Sequence, residues 1–137
     1  MKRLLLTISL TTLFVTVLDF SICNAQSDVI ASAKKAISSG NADGLSSYFN
    51  ELVELNIDDE KSSYSKTQAA FVLKEFFEKH PPIAGESFKY IHQGASKEGL
   101  QYAIGKYSSQ SGSFRVYMLI KELNGKFIID TLDFGEE

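Results

Sequence analysis

Ser65-Lys66-Thr67-Gln68-Ala69-Ala70-Phe71-Val72-Leu73-Lys74-Glu75-Phe76-Phe77-Glu78-Lys79-His80-Pro81-Pro82 is the stretch on which the fold turns. Ser65 and Gln68 have the spacing of a capping box: the serine hydroxyl accepts from one backbone N–H and the glutamine reaches back to another. Ala69, Val72, Leu73 and Phe76 then recur at i, i+3, i+4 and i+7, and Phe77 widens the stripe. Pro81 and Pro82 end the pattern, because proline lacks the N–H a helix needs and pushes the residue before it out of the α region. The spacing predicts one long helix over Ser65 to His80, with an apolar side that must be buried against something.

Beyond the two prolines the chain reads as strands. Phe88 to Gln93, Leu100 to Tyr107, Ser113 to Leu123 and Lys126 to Phe134 are rich in aromatic and β-branched residues, separated by Gly94 to Gly99, by Ser108 to Gly112 and by Asn124-Gly125. Asn-Gly between alternating apolar runs is a strong hairpin signal, and a two-residue turn pairs Leu123 with Lys126. Carried along both strands, that register puts Phe114, Val116, Met118, Ile120, Phe127, Ile129, Thr131 and Asp133 on one face. Arg115, Tyr117, Leu119, Lys121, Ile128, Asp130, Leu132 and Phe134 fall on the other. The first is the better face for packing a helix. The second is too apolar for an ordinary solvated surface, so it is covered by a partner or the sheet curls over it.

Before the long helix, Ser27 is placed to cap a helix to Ser39 with Val29, Ile30, Ala33, Ala36 and Ile37 on its stripe and Gly40 as its stop. Asn41 caps a second, short helix whose apolar side is Leu45, Tyr48 and Phe49. Val53, Leu55 and Ile57 alternate with polar residues, the period of a half-buried strand. Asp58 to Lys61 reads as a solvated turn, and Ser62 to Tyr64 as a short returning strand. Helices segregated to one face of a long antiparallel sheet make an α+β domain.

Met1-Lys2-Arg3 is a cationic start, Leu4 to Leu18 is uncharged, and Cys23-Asn24-Ala25 offers a small residue at its end, the pattern of a secretory signal peptide. The expected organisation is a leader over 1–25, cleaved after Ala25, and a single domain over 26–137, exported to the periplasm or secreted. Stable membrane insertion is not expected, since a spanning helix needs about twenty apolar residues and Asp19 interrupts the run. Lipid anchoring through Cys23 is disfavoured by the bulky Ile22 before it.

With 137 residues, 44% of them hydrophobic, the chain has the apolar content and length of one globular domain. Its net charge of −3 gives no reason to expect nucleic acid as a partner. The leader's +1 leaves −4 on the remainder. Covalent catalysis lacks a Gly-x-Ser-x-Gly elbow, and the expected mature chain lacks a thiol. The two histidines, His80 and His92, are far apart in sequence, without metal-ligand spacing. His80 ends a helix, where the dipole favours a cation. Asp58-Asp59-Glu60 lacks the glycine and terminal glutamate of a calcium loop. Nothing in the pattern calls for a metal or cofactor.

The order helix, helix, strand, short strand, long helix and four antiparallel strands resembles the cystatin-like superfamily typified by nuclear transport factor two (NTF2-like). More narrowly, Tyr64 to Ala69, Phe76 to Pro82, Ile104-Gly105-Lys106-Tyr107 and Gly112 to Tyr117 are similar to a family of small exported bacterial proteins catalogued as a domain of unknown function. The resemblance covers about Asp28 to Phe134. It implies a cone, with a curved sheet wrapped around the long helix. It leaves function open, because the superfamily hosts isomerases, dehydratases, hydrolases and non-catalytic binders.

Enzymes of that superfamily set a carboxylate or histidine with tyrosine hydroxyls against an apolar ligand, and the matching residue types form a candidate pocket: Tyr90, His92, Tyr102, Met118, Thr131 and Asp133. A carboxylate drawn into such an interior has its pKa raised and can act as a base. The bland readings are a solvated Asp133, tyrosines packed by their rings and a locally satisfied His92. No catalytic motif of the family can be placed on these residues. Arg115, Tyr117, Leu119, Lys121, Asp130 and Leu132 form a candidate dimer face, since related domains often join through it. The reading favoured is non-enzymatic binding of a small apolar ligand or an exported protein. Its rivals are a small acid–base enzyme of isomerase or dehydratase type and a structural dimerisation module. A carboxylate buried beside Tyr90 or Tyr102 would favour the enzyme, and a cone filled by Phe71, Phe76, Met118 and Phe127 the structural module.

Overall fold

The computed structural model describes residues 22–98 and 100–137. Most of the expected leader lies outside them, and the boundary expected after Ala25 falls in the first turn of helix α1 (Ile22–Ser39). This helix starts before Ser27, its expected cap, because Ile22 to Gln26 holds neither glycine nor proline to stop it. Val29, Ala33, Ala36 and Ile37 are buried as the stripe requires. Gly40, at φ +63°, ends α1: its N–H bonds Ile37 O and the Asn41 N–H bonds Ala36 O at 2.8 Å, a Schellman pair. Asn41 also caps α2 (Ala42–Ser46), its side chain accepting from the Gly44 N–H at 2.9 Å.

Strands β1 (Phe49–Ile57) and β2 (Glu60–Ser65) form a hairpin across Asp58 and Asp59, which sit at φ +54° and +62°. A two-residue hairpin turn of this hand needs positive φ at both positions, which aspartate tolerates better than most side chains. Helix α3 (Lys66–Lys79) comes next, with the expected capping box: Gln68 N–H donates to Ser65 Oγ at 3.3 Å and Ser65 N–H to Gln68 Oε1 at 3.1 Å. The last four strands are β3 (Phe88–Ala95), β4 (Gln101–Ser109), β5 (Gly112–Leu123) and β6 (Lys126–Glu136).

All six strands form one curved, unclosed sheet in the order β2-β1-β6-β5-β4-β3. The sheet expected to be antiparallel contains one parallel pair, β1 with β6. No tight turn joins these two, so nothing local obliges them to run oppositely. Helix α1 packs with β3, β4 and β6, and α3 with β1, β2 and α2. Between helix and sheet the ring of Phe76 meets Phe134, Phe114 and Tyr107 at centroid distances of 4.6, 5.1 and 6.2 Å. Such offset and edge-on pairs are favourable beyond the area they bury.

The β5–β6 register starts as expected, Leu123 opposite Lys126 and Ile120 opposite Ile129, and then shifts, so that Leu119 faces Thr131 and Met118 faces Leu132. Asp130 is the extra residue of a β-bulge, and every side chain after it changes face. Leu132 and Phe134, expected outside, are buried in the core at 0% and 1% exposure. Thr131 and Asp133, expected on the helix-packing face, stand outside. A second shift lies between Tyr90 and His92 in β3, where Ile91 is the extra residue, so His92 leaves the face of Phe88 and Tyr90.

Candidate functional site

The six candidate pocket residues do not converge. Met118 is fully buried in the core. Tyr90 is on the inner face, its hydroxyl donating to Ile30 O at 2.7 Å and its pKa pushed well above the ordinary tyrosine value by burial. His92 and Tyr102 meet on the outer face, with Nε2 2.9 Å from the hydroxyl. Asp133 and Thr131 are also outside, opposite Tyr117 and Leu119. The Asp133 carboxylate accepts from Asn56 Nδ2 at 2.9 Å. A general base and an apolar ligand site therefore do not share an interior here. Of the residues that would fill the cone, Phe76 and Met118 are buried and Phe127 is half-buried, but Phe71 is 64% exposed on the solvent side of α3.

The outer face is assembled from more strands than the last hairpin. Tyr102, Ile104, Tyr117, Leu119 and Ile128 stand together at its centre, paired across β4, β5 and β6. All are half-buried by one another, and both larger helices lie on the opposite side of the sheet. Charges ring them: Lys121 Nζ pairs with Asp130 Oδ2 at 2.7 Å, Lys61 with Glu54 at 2.9 Å and Lys106 with Glu137 at 2.6 Å. Arg115, beside the Lys106–Glu137 pair, carries the surplus positive charge of the β4–β5 corner, and Asp133, near the Glu54–Lys61 pair, the surplus negative charge of the β1–β6 side. Asn56 Oδ1 is buried without a partner on the same face. Of the candidate dimer face, Arg115, Tyr117, Leu119 and Lys121 are on this surface, Asp130 is at its edge in the bulge, and Leu132 is not part of it. Tyr102 and Ile104 join it from β4, whose register against β5 the sequence reading did not fix.

A second feature was hidden in the sequence. His80 Nδ1 lies 2.5 Å from Ser111 Oγ, which in turn is 3.0 Å from Ser109 Oγ. The His80 ring is held between Phe76 and Phe114 at 4.9 and 4.7 Å. A histidine beside a serine invites an acyl-transfer reading, but that chemistry also needs N–H donors for an oxyanion. The Ser111 and Gly112 N–H groups both donate to Ser109 Oγ. The cluster closes the β4–β5 turn against the end of α3. Among the described residues no group of three or more histidines, cysteines or carboxylates is placed to hold a metal ion, and no helix is long and apolar enough to cross a membrane.

The family model described as a domain of unknown function, DUF4783, matches residues 30–135. The chain belongs to this family. A DUF4783 protein from Bacteroides uniformis has a similar structure at 24% identity, covering 78% of this chain and 95% of that one, with a TM-score of 0.71. An NTF-2 like protein of unknown function from Silicibacter pomeroyi is similar at 9% identity over 84% and 95% of the two chains, with a TM-score of 0.57. A domain of unknown function with a cystatin-like fold from Nostoc punctiforme is similar at 10% identity over 88% and 80%, with a TM-score of 0.61. No curated protein matches the chain. The DUF4783 chain thus has the NTF2-like, cystatin-like fold its element order implied, and these neighbours speak to fold alone.

Proposed function

We propose that this chain is an exported, non-catalytic binding domain that associates with protein through the outer face of its sheet, its first partner being a second copy of itself. The observation that carries this reading is the cluster Tyr102, Ile104, Tyr117, Leu119 and Ile128, which none of the helices among the described residues covers and which charged residues surround. An apolar centre with a polar rim is the anatomy of a protein interface. A face that is basic at one corner and acidic at the other suits a contact in which the same patch meets itself in reverse. The ring-filled inner side favours a protein surface over a small apolar ligand. Export rests on the leader pattern of residues 1–25.

Sedimentation at micromolar concentration tests the reading. The wild-type protein is expected to sediment as a dimer, and Leu119→Arg, which sets a charge at the centre of the patch, as a folded monomer with unchanged circular dichroism. A monomeric wild type, or a dimer indifferent to Leu119→Arg and to Tyr117→Asp, would overturn it.

A further inference from the structure

A groove runs between the β1–β2 hairpin and α3, on the side of the sheet away from the proposed interface. Its floor is Leu55, Ile57, Tyr64, Val72 and Phe76, and it encloses a cleft of about 330 Å³. Asp58 is shared with a second cleft of about 330 Å³ that continues past Asp59 to His80 and Glu136. Each is at the low end of the range, about 300–1,000 Å³, in which proteins hold small ligands. Joined end to end they make an elongated trough. Helix α1 packs on the other half of the sheet and does not cover it.

Its charge is one-sided. Asp58, Asp59, Glu60, Glu75 and Glu136 line the two clefts, against the single lysine Lys79. None of these five carboxylates takes part in an ion pair among the described residues, whereas Glu54, Glu86, Asp130 and Glu137 each have a lysine. Unpaired carboxylates above an apolar floor complement a cation carried on an apolar body. The trough is also bounded by β2, the last strand on that side of the sheet. An edge strand presents a row of free backbone N–H and C=O groups, which an extended peptide can pair with and a small amine cannot use in series.

We infer that this groove binds an extended peptide segment in which lysine or arginine and apolar residues take turns at every second position, so that both kinds of side chain face the groove. The apolar side chains lie on Ile57, Tyr64 and Val72, the cationic ones reach Glu60, Glu75 and Asp58, and the peptide backbone runs along β2. The site is separate from the outer sheet face, so self-association can fail without affecting it.

Amide chemical-shift titration of the ¹⁵N-labelled protein tests this with three probes: acetyl-Val-Ser-Lys-Ser-Leu-Ser-Lys-amide, the same peptide with glutamate for lysine, and n-hexylammonium. The lysine peptide is expected to give saturable shifts in β2 and along Val72 to Lys79, and the glutamate peptide none. Glu60 and Glu75 are exposed, so Glu60→Gln with Glu75→Gln leaves the fold intact. That pair is expected to weaken binding about tenfold, as two screened surface charges of roughly threefold each would. No saturable shift with the lysine peptide, equal binding of the glutamate peptide, or indifference to the double replacement would overturn the inference. Hexylammonium reproducing the full set of shifts would overturn it too, by showing that the backbone of β2 takes no part.

Discussion

Tyr107 places a phenol where water does not reach. It is fully buried among Phe76, Phe77, Phe114 and Phe134, and its hydroxyl donates to His80 O at 2.6 Å. Burial disfavours the phenolate and pushes its pKa up to about 12, and burial raises Tyr90 as well. The raised value means that the folded state holds a proton the unfolded chain gives up near the ordinary tyrosine pKa, about 10. The stability these groups contribute is complete below about pH 10 and is lost as the pH climbs towards 12. Absorbance titration at about 295 nm should show two of the six tyrosines ionising only together with alkaline unfolding. Gly105 is a second residue held by its surroundings. A Cβ there would lie 2.5 Å from Phe88 Cζ and 2.9 Å from Lys89 O. Gly105→Ala should therefore cost about 1–3 kcal/mol by overpacking, read from the denaturation midpoint.

At the scale of elements, local chemistry and pairing behave differently. The α3 capping box needs only residues three apart, so it was legible from Ser65 and Gln68. Ser65→Ala should lower stability by about 1 kcal/mol in urea denaturation. The Asp58-Asp59 turn was legible as a turn but not as a left-handed pair, since it lacks the glycine that usually signals one. Asp59→Gly should raise stability by up to about 1 kcal/mol, because glycine adopts φ +62° without a Cβ penalty. The bulge at Asp130 had no local signature at all. It exists because Leu132 and Phe134 are large and apolar and the core takes them, at the cost of one unpaired ladder position, while Asp130 itself finds Lys121 and Asn50 outside. Deleting Asp130, the extra residue, leaves Leu132 opposite Met118 and Phe134 opposite Val116 in an unbulged ladder, so the deletion variant should keep its cooperative thermal transition by circular dichroism.

At the scale of the molecule, the two bulges decide which surface can act. They leave Tyr90 and Met118 inside, where rings fill the space, and move His92, Thr131 and Asp133 outside, onto a sheet face that no helix among the described residues covers. If that face joins two copies, the melting temperature of the wild type rises with protein concentration by mass action. Leu119→Arg should abolish that dependence, as scanning calorimetry over a hundredfold concentration range will show.

The chain's own residues, read in order, were enough for the elements, their order and the α+β class, because helix stripes, caps and strand alternation depend on neighbours a few positions apart. They were also enough for most of the core. That β1 lies beside β6 and runs parallel to it, and which face His92, Thr131, Asp133 and Leu132 occupy, were settled only when the whole sheet packed on the helices. Strand side chains alternate with a period of two, so one extra residue reverses everything beyond it, and only the competition for space in the core determines where that residue goes.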